Sequence, residues 1–94
     1  MSQEGYKLVQ DLTQIANDEV KYFSSFPEQV KILKVKLLIG PDGWGGKEYR
    51  IIIQYEFDGI TYEINRPMYT NVKSVLIDIL FNILDHYERM HIIQ

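Results

Sequence analysis

The chain has 94 residues, 46% apolar and 24% charged, with 13 acidic against 10 basic side chains and no cysteine. That length holds one domain with one core, 1–94, and the apolar share with a formal charge of −3 excludes general disorder. The missing thiols exclude a thiol nucleophile, disulfide exchange and thiolate-bound zinc, and no uncharged apolar run approaches the ~18 residues of a membrane span. The opening MSQEGYKLVQ has neither the basic patch nor the apolar core of a signal peptide, so a reducing cytoplasm is the expected compartment.

Leu8, Val9, Leu12, Ile15, Ala16, Val20 and Phe23 recur at steps of three and four, and this spacing predicts a helix over about 3–24. Pro27 disfavours helical geometry at Phe26 and ends it. Glu19 falls at the centre of that apolar face, where a buried carboxylate would have a raised pKa. A position in the last turns instead lets it reach water or Lys21.

From Val30 to Ile39 the period changes to two, which predicts a strand with Leu33, Val35, Leu37 and Ile39 on one face and Lys34, Lys36 and Leu38 on the other. Val30 and Ile32 are out of phase with that set, so either the strand begins near Ile32 or a bulge interrupts it there. The glycine-rich stretch Gly40–Gly46 leads to a second strand, Glu48–Phe57, with Tyr49, Ile51, Ile53, Tyr55 and Phe57 alternating against Arg50, Ile52, Gln54 and Glu56.

Asp58 and Gly59 form a two-residue hairpin signal, because a type I′ turn needs positive φ at both positions. That turn sets Phe57 against Ile60, Tyr55 against Tyr62 and Ile53 against Ile64. Arg66 and Pro67 close the third strand. Thr70 or Asn71 then caps a helix with apolar positions at Val72, Val75, Leu76, Ile79, Leu80, Ile83, Leu84 and Tyr87, fraying over His91–Gln94. The expected fold is α+β in two layers: helix, three-stranded antiparallel sheet, helix.

The catalytic inventory is thin. His86 and His91 are five apart on one helix and do not form the i, i+4 pair that clasps a metal; they read as ordinary surface histidines. No phosphate loop, nucleophile elbow or paired-carboxylate spacing is present, so neither an enzyme nor a cofactor is expected. Trp44 is more informative: flanked by glycines, it reads either as a contact displayed by the loop or as a lid folded back on the core. Lys34, Lys36 and Arg50 suggest a small basic stripe, opposed by Glu48, Glu56 and Glu63 on the same face or its margins. The last helix carries apolar side chains over an arc of roughly 240° where a helix on one sheet needs little more than ~100°. Ile77 and Phe81, with Leu84, therefore suggest a cover, supplied either by the first helix or by a second copy in a homodimer.

Gly40-Pro41-Asp42 after the first predicted strand looks like the GPxH loop of the double-stranded-RNA-binding domain, and KEYRIIIQYEFDGITYEI resembles that family's second and third strands. The resemblance covers about residues 27 to 87 and implies helix, three-stranded sheet, helix, with duplex RNA as ligand. Gly43 stands where the family has its loop histidine, an extra glycine-rich Trp segment follows, and only Lys73 remains of the family's lysines around Pro67–Ser74. Those lysines meet phosphates in that family. The expectation is accordingly a small non-catalytic protein-interaction module, a regulator or inhibitor of a larger protein, contacting its partner through Asp42, Trp44, Lys34, Lys36 and Arg50. Duplex RNA binding is the alternative, and an acidic mimic of nucleic acid is a third reading weakened by the small net charge.

Overall fold

The computed structural model describes residues 5–23 and 25–92. The chain runs β1 (Lys7–Asp11), α1 (Thr13–Val20), β2 (Lys31–Pro41), β3 (Lys47–Phe57), β4 (Ile60–Pro67) and α2 (Val72–Ile92). The fold is α+β with two helices, as expected, but the antiparallel sheet has four strands in the order β1-β2-β3-β4 rather than three.

The extra strand comes from the segment predicted to be one long helix. Lys7–Asp11 pairs with β2 instead, and the helix is only eight residues long. Two anchors make the turn between them. The Asp11 carboxylate accepts the Thr13 backbone N–H at 2.9 Å, and Leu12 donates its N–H to the Val35 carbonyl at 2.8 Å. Leu12 and Ala16 are the buried members of the supposed stripe, whereas Leu8, Val9 and Ile15 are exposed. Glu19 is only partly buried, so the stripe has no buried carboxylate at its centre.

β2 contains the bulge that its broken phase suggested. The register with β3 shifts between Ile32 and Lys34, leaving Leu33 as the extra, exposed residue. Leu33 thus does not share the inward face with Val35 and Leu37: Val30 and Ile32 point inward before the bulge, Val35 and Leu37 after it. The β3–β4 hairpin has the expected register, Phe57 opposite Ile60, Tyr55 opposite Tyr62 and Ile53 opposite Ile64, with positive φ at Asp58 and Gly59.

Val35, Leu37, Ile51, Ile53, Tyr55 and Phe57 form the inner sheet face, and Leu76, Ile79, Leu80 and Ile83 of α2 pack on it, with Leu12 and Ala16 closing one side. Each of the buried valine, leucine, isoleucine and phenylalanine side chains contributes about 1.5 to 3 kcal/mol of hydrophobic stabilisation. Asn71 is the cap of α2, its side-chain oxygen accepting the Ser74 N–H at 2.9 Å. His91 and Ile92 belong to this helix; residues 93 and 94 lie outside the described residues. Among the described residues no helix is long and apolar enough to cross a membrane.

Candidate interaction site

The β2–β3 connection closes on Asp42. After the Pro41–Lys47 pair, the Asp42 carboxylate accepts the N–H of Trp44 at 2.7 Å and that of Gly46 at 3.0 Å, while its own N–H donates to the Gly46 carbonyl at 3.2 Å. Gly43 and Gly45 adopt φ of +85° and +86°, a backbone that side chains with a Cβ rarely enter. Trp44 stands between them 93% exposed. The indole is therefore displayed, and the lid alternative is excluded.

Beside this loop the outer sheet face is tied to the chain's start. The Tyr6 ring lies flat over Gly40, where a Cβ would stand 2.5 Å from the ring atoms. The Tyr6 hydroxyl donates to Glu48 at 2.7 Å, and Arg50 donates to Glu48 at 2.6 Å and to Asn65 at 2.7 Å. These two donors hold the Glu48 carboxyl below its ordinary range, the Tyr6 bond being the larger influence, and the same bond raises the Tyr6 phenol. Arg50 is thus engaged within the chain. Lys34 and Lys36 lie farther along, at the rim of a shallow depression with Ile52 beneath and Gln54 and Glu63 opposite. The structure therefore separates the expected basic stripe into a neutralised arginine and two lysines that share their depression with a carboxylate.

On α2, Ile77 is half-buried and Phe81 is 55% exposed, whereas Leu84 is buried against its own chain. Phe23, in the segment after α1, stands 5.0 Å from Phe81 between ring centroids, and Tyr22, Phe23, Ser25, Ile77 and Phe81 line one open groove. Part of the cover that the apolar surplus requires comes from this chain.

No family model, curated protein or solved structure matches the chain.

One constellation escaped the sequence reading. Burial raises the Tyr55 phenol, whose hydroxyl meets Nδ1 of His86 at 2.8 Å. The His86 ring also stands edge-on to Tyr62 at 4.6 Å and to Phe57 at 5.1 Å. His91 joins this end of the molecule, with Nδ1 2.8 Å from the Tyr87 carbonyl oxygen and Nε2 3.0 Å from an Asp58 carboxylate oxygen. The Tyr87 carbonyl and Asp58 carboxylate oxygens are both acceptors facing the two ring nitrogens. These contacts staple the end of α2 to the hairpin. The signal was present in the spacing: His86 follows Ile79 by seven and Ile83 by three, which places it on the margin of the core-facing stripe. Among the described residues, no three His, Asp or Glu side chains converge to hold a metal ion.

Proposed function

We propose that this protein is a small non-catalytic interaction module that acts in the cytoplasm as a regulator or inhibitor of a larger protein, with the Asp42–Gly46 loop as its primary contact. The observation that carries this reading is the exposure of Trp44 on a loop held closed by Asp42. A tryptophan whose backbone is already held by its loop leaves only the side chain to be ordered on binding and offers a large apolar face, which is the character of an interface hot spot. Arg50, Lys34 and Lys36 would form the polar margin of the same surface. The engagement of Arg50 by Glu48 and Asn65 favours a protein partner over duplex RNA, since phosphate binding needs uncommitted cations.

Affinity capture from the native host with the unmutated protein and with Trp44→Ala tests this reading. A partner retained by the former and lost by the latter, with equal folded content, supports it. Capture indifferent to Trp44→Ala contradicts it, as does a complex with duplex RNA that dissociates between ~50 and ~200 mM salt and is lost in Lys34→Glu/Lys36→Glu.

A further inference from the structure

The sheet ends on two edges of different character. β1 is short, starts with Lys7 and is bulged between Leu8 and Gln10, features that discourage another strand from adding to it. β4 runs eight residues in unbroken register with β3, has no lysine, and has no proline before its last residue. Among the described residues no strand lies beyond it.

The hairpin fixes which backbone groups of β4 remain open. A two-residue turn makes Phe57–Ile60 a hydrogen-bonded pair, so Ile60, Tyr62, Ile64 and Arg66 turn their N–H and C=O groups to β3. The Met68 N–H, bonded to the Tyr49 carbonyl at 2.9 Å, continues that alternation. Thr61, Glu63 and Asn65 consequently turn theirs away from the sheet. We propose that this edge pairs antiparallel with β4 of a second copy of the chain, across a two-fold axis at Ile64, to give one continuous sheet of two protomers.

The choice of axis follows from side-chain chemistry. An axis at Glu63 would set two carboxylates against each other, and one at Tyr62 would pair only the first residues of the strand. The axis at Ile64 sets Ile64 against its copy, Glu63 against Asn65 and Tyr62 against Arg66. The second pair matches a carboxylate with an amide, and the third places a guanidinium beside a ring already backed by Tyr55, Phe57 and His86. This seam is separate from the Trp44 loop and from the α2 groove that Phe23 already borders. Strand pairing alone covers less area than a standard interface, so the dimer is expected to dissociate in the micromolar range.

Two measurements test it. Sedimentation of the unmutated chain from ~1 to ~500 μM should show a monomer–dimer equilibrium, its dissociation constant raised more than about tenfold by Glu63→Pro. Proline there removes an N–H that β3 does not use, so the fold persists, and Glu63→Lys/Asn65→Lys provides a second variant without backbone change. Residues opposed in a non-hydrogen-bonded pair stand about 4.5 Å apart, within disulfide reach, and the chain has no native cysteine. Ile64→Cys should therefore form an intermolecular disulfide on mild oxidation, and Glu63→Cys should not. A monomer throughout the range, a dimer indifferent to both edge variants, a dimer dissolved by Phe81→Glu, or cross-linking by Glu63→Cys in place of Ile64→Cys would overturn the proposal.

Discussion

Two hairpin connections, β2–β3 and β3–β4, join antiparallel strands with no helix between them, and they do so differently. Asp58 and Gly59 pass from β3 to β4 in two residues, and the neighbouring aromatic, Phe57, is 1% exposed. Asp42–Gly46 passes from β2 to β3 in a longer loop whose internal hydrogen bonds all return to Asp42, with Trp44 outside in water. A two-residue turn suffices to close such a hairpin. The longer loop therefore does something that strand connection does not need, and what it does is hold an indole away from the core. Folding accounts for the burial of Phe57 but not for the display of Trp44, which the proposed recognition role would explain.

The contrast predicts a graded series of effects. Phe57→Ala should cost on the order of ~3 to 5 kcal/mol in chemical denaturation, because its ring is buried among Tyr55, Tyr62 and the helix-borne His86 and Tyr87. Gly59→Val should cost about 1 to 3 kcal/mol, since φ of +77° strains a β-branched residue while the core stays intact. A melting temperature unchanged in either variant would remove the hairpin from the folding side of the comparison.

Acid should act at a third place, the attachment of β1. Hydrogen bonds from Thr13, with Lys34 and Lys36 nearby, lower the Asp11 carboxyl, as the Tyr6 bond and Arg50 lower that of Glu48. Both folded-state values lie below the unfolded ones, so the stabilisation is present above the ordinary carboxylate range and is lost as pH falls through the lowered values. Amide resonances of Lys7–Asp11 followed by NMR should shift toward unpaired positions in acid before those of β3 do. Simultaneous loss of both strands would contradict this.

The sequence made the β3–β4 hairpin and α2 readable for one reason: local and global preferences agree there. Asp58-Gly59 admits one compact turn, and the α2 stripe is buried at Val75, Leu76, Ile79, Leu80, Ile83 and Leu84, as expected. The first segment was misread because β1 buries none of its five residues and so carries no alternation, while Leu8 and Val9 happen to fall at helical distance from Leu12 and Ile15. Its pairing with β2 depends on contacts far along the chain, such as Tyr6 over Gly40 and Leu12 to Val35, which no local window contains. Composition nominated Trp44, and its exposure became decidable only with the Asp42 hydrogen bonds in view. The open edge of β4 was likewise illegible while the number and order of strands were unknown.

Equilibrium denaturation of Trp44→Ala, followed by far-ultraviolet circular dichroism against the unmutated protein, tests the display of Trp44 most directly. A side chain held in water for recognition predicts unfolding free energies that agree within about 0.5 kcal/mol. A loss of ~3 to 5 kcal/mol, the cost of deleting a buried tryptophan, would show that the indole belongs to the core and would contradict the account.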